Sequence, residues 1–196
     1  MAKLTEQRIA DRREAIVAAA EALFAERGFA ETSMADIVEA SGVSTGTVYR
    51  YFDNKEAVVM AVTEAAVGVQ FDPDQGDPLA LANAMQVLIA AATDRRRGRV
   101  SNQVWARATG SPSLQTMIAE RHTQVCRWLA RSIDHLAASK IGQDIPREPS
   151  AQALQRAEII ICAISGLQQR VAAGLQPDAE AFGAMLVTLA AGRSAR

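Results

Sequence analysis

Ser33-Met34-Ala35-Asp36-Ile37-Val38-Glu39-Ala40-Ser41-Gly42-Val43-Ser44-Thr45-Gly46-Thr47-Val48-Tyr49-Arg50-Tyr51-Phe52 reads as two short helices around one tight turn. Ser33 stands where a helix N-cap belongs, and Asp36 three residues on supports the first turn. Met34, Ile37 and Val38 make the buried face of that helix, and Ser41-Gly42 ends it. Ser44 can cap a second helix over Thr45 to Phe52, in which Val48 and Phe52 lie together and, with Val43, can pack inward. Two helices joined in this way form a helix-turn-helix, although many helical proteins contain an equivalent structural corner. The outward face decides between the two. It carries Gly46 and Arg50, flanked by Thr47 and Tyr49, a set for which a monomeric core has little use. In a DNA major groove, Gly46 gives up roughly 1 kcal/mol of helix propensity but lets the backbone approach closely. Thr47 and Tyr49 can contact phosphates or thymine methyls, and Arg50 can reach guanine O6 and N7. Tyr51 and Lys55 are placed to hold phosphates.

Upstream, Ile16, Ala19, Ala20, Leu23 and Phe24 repeat at helical spacing, which predicts a first helix over Arg8 to Arg27 with its stop at Gly28. Phe29 can fold back onto it. Downstream, a fourth helix runs from Lys55 to about Val69, and the stretch Phe71 to Pro78, rich in proline and acids, reads as a linker. Helices over Leu79–Thr93, Val100–Thr109, Ser113–Ala138 and Ser150–Ala173 follow, and Pro177-Asp178 opens a last one ending near Ala191-Gly192. No alternating run suggests a sheet. The expected fold is all-α, with about nine helices: a helix-turn-helix domain over residues 8–54 and a C-terminal regulatory and dimerisation domain over 55–196.

Composition sets limits on function. Hydrophobic residues at 49% fit a globular chain, and aromatics at only 5% beside abundant alanine favour closely packed helices. The longest uncharged stretch, Pro78 to Thr93, falls short of the ~18 apolar residues of a membrane span, so no membrane partner is expected. The N-terminus has no apolar segment of the kind that directs secretion, which suggests a cytoplasmic protein. Cys126 and Cys162 stand far apart with no CxxC or His/Cys cluster, so free thiols are expected, with no disulfide, metal or cofactor. No catalytic constellation is visible, and an enzyme is not expected. The net charge of −1 does not itself point to nucleic acid, and residues 1–57 hold seven basic against ten acidic side chains. Affinity for DNA must therefore come from local placement and from helix N-termini.

From about Arg12 to Val62 the chain resembles the DNA-binding domain of the TetR family of transcriptional regulators. The resemblance rests on the stretch Gly28 to Val58, and on the spacing Gly42-Val43-Ser44, Tyr49, Phe52, Lys55-Glu56 within it. It implies base-reading roles for Thr45, Gly46, Tyr49 and Arg50. It implies phosphate contacts for Thr47, Tyr51 and Lys55 and for the helix start at Thr32-Ser33, with Ser44 in the same DNA-binding set. It also implies a helical C-terminal region of ligand-binding and dimerisation type.

In that region, Ile159, Ile160, Ile161 and Ile164 make one helix apolar around much of its circumference, and Leu167 and Val171 extend the stripe. Phe182, Met185, Leu186 and Leu189 repeat at helical spacing on the last helix. A homodimer through these two helices would bury both stripes by two-fold symmetry, with Ile160, Ile164, Leu167, Val171, Phe182, Met185, Leu186 and Leu189 in the interface. Met85, Leu88, Trp105, Met117 and Val125 stand as an apolar lining for a hydrophobic inducer that Gln103, Arg107, His122 and Cys126 could orient. Against this, Trp105 and Trp128 read first as core, His122 as a surface or merely hydrogen-bonded residue, and Arg95 to Arg99 as a solvated turn, with positive charge lying beside the first helix as the alternative. The expected function is a repressor released from a palindromic operator by such a ligand. The alternative is a DNA-binding regulator with no small-molecule input.

Overall fold

The computed structural model describes residues 2–66, 78–141 and 148–192. Among these there are nine helices and no strand: α1 (Ala2–Arg27), α2 (Met34–Ser41), α3 (Thr45–Tyr51), α4 (Lys55–Ala66), α5 (Pro78–Thr93), α6 (Arg95–Ala108), α7 (Pro112–Ile141), α8 (Ala151–Ala172) and α9 (Ala179–Ala190). The all-α expectation holds. The linker residues 71–77, the expected end of the fourth helix beyond Ala66 and the tail 193–196 lie outside the described residues. Pro78 and Pro112 each open a helix, where the missing N–H has no intrahelical role. No described helix is long and apolar enough to cross a membrane.

The chain divides into two units, residues 1–68 with 99–114, and 69–98 with 115–196. This differs from a single cut after Asn54, because α4 and most of α6 pack with the first three helices. In the first unit, Ile16, Ala20, Leu23 and Phe24 of α1 are buried as their spacing predicts, while Ala19 is only half-buried. Ile37 of α2, Val48 and Phe52 around α3, and Val58, Val59 and Val62 of α4 are buried as well. Met34 and Val38 are only half-buried, so Ile37 alone anchors α2 fully. Gly28 ends α1 at φ +94°, its N–H bonding Phe24 O at 3.0 Å, and Phe29 folds back so that its ring meets Phe24 edge-on at 4.6 Å.

The second unit has its own core. Leu81 and Met85 of α5, Trp128, Leu129 and Ile133 of α7, Ile160, Ile164 and Leu167 of α8, and Leu186 of α9 are buried together. Gly183 of α9 sits so near α5 that a Cβ there would stand 2.7 Å from Ile89 Cδ1. Gly98 is similar: a Cβ would meet Ala172 Cβ and Gln168 O of α8, each at 3.0 Å. The Arg95 to Arg99 segment is the first turn of α6, capped by Asp94 Oδ1 on the Arg96 and Arg97 N–H groups, and its four arginines are exposed, so the cluster is solvated but helical. Arg99 Nη2 donates to Glu26 O at 3.3 Å, reaching the end of α1 by a main-chain carbonyl and not by an acidic side chain.

Four residues expected at a dimer interface prove to be intramolecular core: Ile160, Ile164, Leu167 and Leu186 are buried within their own unit. Val171 and Phe182 pack partly against the same core. Helical spacing identifies an apolar face but not which partner covers it. Met185 (51% exposed) and Leu189 stay at the surface, and Ile159 (54% exposed), Leu154 and Val187 join them.

Candidate nucleic-acid interface

The two-helix element is built by its own local chemistry. Ser33 Oγ accepts from Asp36 N at 3.1 Å, and Asp36 Oδ2 accepts from Ser33 N at 2.7 Å, which closes the capping box. The Ser33 hydroxyl also donates to Asp36 Oδ2 at 2.6 Å, and this bond, ahead of the one from Ser33 N, holds the Asp36 carboxyl below the usual carboxylate range, so the cap stays ionised at neutral pH. Gly42 ends α2 at φ +65°, a conformation with a steric cost for any side chain. Ser44 takes the N-cap position of α3, but its hydroxyl pairs with Thr47 Oγ1 at 2.8 Å and makes no backbone cap. Its carbonyl receives Thr47 N and Val48 N.

With Val48 and Phe52 buried, α3 turns Ser44, Thr45, Gly46, Tyr49 and Arg50 to solvent, and Tyr49 is 46% exposed. Arg50 is the cation on this face, its guanidinium carbon 5.6 Å from the Tyr51 ring centroid. Gly46 is the informative position. It does not have a positive φ, and a Cβ built there meets nothing within 4 Å. Neither backbone geometry nor internal packing requires glycine at this point.

The residues expected to hold phosphates behave differently. The Lys55 ammonium donates to Phe29 O at 2.7 Å, Thr32 O at 3.0 Å and Ala30 O at 3.5 Å, so it ties down the α1–α2 turn and its phosphate role is withdrawn. Thr32 is buried, its hydroxyl bonded to Gly28 O at 2.8 Å, and it too is a turn residue. Ser33 serves its cap, Thr47 its contact with Ser44, and the Tyr51 hydroxyl reaches Ile9 O at 3.3 Å. The last three remain at or near the surface and keep lone pairs for outside partners.

Of the nine residues expected to line a ligand site, Gln103, Trp105 and Arg107 belong to the first unit and the other six to the second. Gln103 Oε1 accepts from Phe29 N at 2.7 Å, while its Nε2 donates to Phe24 O at 2.9 Å and Arg99 O at 3.2 Å. That amide closes the end of α1, a role that no local sequence signal marks. Arg107 pairs with Glu56 through Nε at 2.9 Å and through Nη2. Trp105 is 51% exposed and is not part of the core. In the second unit Met85 is buried, and Leu88, Met117 and Val125 are half-buried. His122 and Cys126 meet Glu158 of α8, which corrects the expectation that the chain has no His/Cys cluster. Hydrogen bonding from His122 is the main cause that lowers the Glu158 carboxyl, and burial pushes the Cys126 thiol up to about 12.

The comparisons with known proteins fall on the same segment. A family model described as bacterial regulatory proteins, tetR family, matches residues 16–62. The chain carries the DNA-binding domain of the TetR family. The HTH-type transcriptional regulator TtgR of Pseudomonas putida is 38% identical over 65 residues, 33% of this chain and 31% of that protein. The chain thus spans about a third of the length of the first curated relatives it matches. Over nearly the full length the likeness is one of fold. A TetR transcription regulator from Haloarcula marismortui ATCC 43049 has a TM-score of 0.75 at 19% identity, covering 94% of this chain and 98% of that one. The structure of a SmeT–triclosan complex has a TM-score of 0.68 at 22% identity, covering 93% and 90%. The TetR-like architecture therefore extends through α9, well beyond the DNA-binding domain.

Proposed function

We propose that this protein is a transcriptional regulator that docks α3 in the major groove of a palindromic operator and acts as a repressor. The observation that carries the reading is Gly46. A helical glycine that internal packing does not need, beside exposed Tyr49 and Arg50, is accounted for by a partner surface lying directly against the α3 backbone. The TetR-family domain over residues 16–62 supports DNA as that partner. Gly46→Ala is expected to leave thermal stability unchanged or to raise it by up to about 1 kcal/mol, because alanine is the better helix former. Operator affinity should fall at least tenfold, since the added methyl stands where the groove wall would be. Calorimetry and fluorescence anisotropy on one preparation check both. Undiminished affinity would remove α3 from the groove.

A homodimer supplies two copies of α3 for the two half-sites of a palindrome, spaced by about 34 Å or a multiple of it. Its interface is assigned to the exposed apolar side chains of α8 and α9, centred on Ile159, Met185 and Leu189. The double variant Ile159→Glu, Met185→Glu should sediment as a folded monomer. Ile164→Glu, by contrast, should lower the melting temperature sharply, because it buries a charge in the unit's own core. A double variant that still sediments as a dimer would place the interface elsewhere.

Release by a small hydrophobic ligand fits the second unit, where Met85, Leu88, Met117 and Val125 remain as the apolar set. Its support is the SmeT–triclosan complex, a neighbour in fold. To drive release the ligand must favour the conformation that does not bind DNA, since equal affinity for both shifts nothing.

A further inference from the structure

We propose that His122, Cys126 and Glu158 form a binding site for one divalent cation of the zinc class. The site lies on α7 and α8 of the second unit, and the proposal does not rest on the reading of α3. His122 and Cys126 stand four residues apart on α7, which places their side chains over one another on a single helix face. Glu158 reaches them from α8. His122 Nε2 lies 2.8 Å from Glu158 Oε2, and Cys126 Sγ lies 3.4 Å from each of those two atoms. One donor atom from each residue therefore falls within 4.8 Å of the others.

The spacing suits a metal with little rearrangement. Zinc bonds of roughly 2.0 to 2.3 Å at tetrahedral angles put neighbouring donor atoms about 3.3 to 3.6 Å apart. The two contacts of the sulfur already have that length, so only the His122–Glu158 pair must open, by about half an ångström. The donor chemistry narrows the ion further. Calcium and magnesium require sets of oxygen ligands, whereas one imidazole, one thiolate and one carboxylate form a borderline N, S, O set. Coordination displaces the Cys126 proton to solvent and leaves thiolate and carboxylate with two negative charges, which a dication neutralises and a monovalent ion does not. Cys126 is buried, His122 half-buried and Glu158 exposed, so one side is open to solvent. Three protein ligands with an open fourth position describe an exchangeable site, unlike a closed structural zinc. Cys162 stands one turn beyond Glu158, its sulfur 3.9 Å from the other carboxylate oxygen, and is not required for the set.

The test uses the full chain, stripped with a chelator and titrated with Co(II). The expected result is one equivalent bound per chain, with a sulfur-to-cobalt charge-transfer band and visible bands of tetrahedral intensity, both bleached by Zn(II). Glu158→Gln and His122→Gln alter surface-accessible side chains and should keep their helical circular dichroism while losing the tetrahedral spectrum. Cys126→Ser should lose the charge-transfer band, and Cys162→Ser should retain it. Three results would overturn the proposal: no charge-transfer band in the wild-type protein, a full spectrum in Glu158→Gln, or a band abolished by Cys162→Ser. None of them bears on whether α3 binds DNA.

Discussion

Lys55→Ala is expected to destabilise the DNA-binding unit by about 2–3 kcal/mol, the scale of losing charge-assisted hydrogen bonds and leaving partly buried carbonyls unmatched. The ammonium gathers Phe29 O, Ala30 O and Thr32 O, three carbonyls of the turn between α1 and α2. Alanine removes every one of these contacts and offers no replacement donor. Lys55→Arg should recover little of the loss, because a planar guanidinium cannot converge on three carbonyls as a compact ammonium does. Urea unfolding followed by circular dichroism checks the size of the effect. A lysine whose work lay on phosphate would behave in the opposite way. Its removal would leave the urea midpoint unchanged and lower the salt slope of DNA binding by about one.

Gln103→Leu should be nearly as damaging, at about 1–3 kcal/mol for each buried polar group left unsatisfied. The substitution keeps the bulk of the side chain and removes its amide. Phe29 N loses its 2.7 Å acceptor and Phe24 O one of its two donors, the other being Gly28 N. Because α6 supplies the amide and α1 the groups it bonds, the loss should appear in hydrogen exchange as faster opening at Phe29. Exchange at Phe29 no faster than in the wild type would mean that the amide contributes nothing to the turn. Gln103→Glu separates the two halves of the clamp, since a carboxylate can still accept from Phe29 N but cannot donate to Phe24 O.

What could be read from the sequence was local. The Ser33–Asp36 capping box, the stop at Gly42 and the inward pair Val48 and Phe52 lie within one helical turn or one short loop of each other, and each formed as its spacing predicts. Contacts between distant segments were not legible. Gln103 meets Phe29 across 74 residues and Glu158 meets His122 across 36, and no periodicity encodes such a pairing. The apolar stripe of α8 was visible, but Ile160, Ile164 and Leu167 face their own core while Ile159 faces out, which only the packing of α5 and α9 decides. Lys55 did carry a signal. A cation in the first turn of a helix opposes the helix dipole and so favours another partner, here the carbonyls of the α1–α2 turn.

The central claim is that the face of α3 bearing Gly46, Tyr49 and Arg50 reads DNA, and selection from a random duplex library tests it most directly. Wild-type protein should enrich one two-fold symmetric sequence, with half-sites about one helical turn, or a multiple of it, apart. The same selection with Arg50→Ala should return that symmetry with relaxed preference at one position per half-site, at a cost of about 1–3 kcal/mol there. Enrichment of no symmetric site by the wild-type protein, or an unchanged motif from Arg50→Ala, would contradict the assignment of α3 as the reading helix.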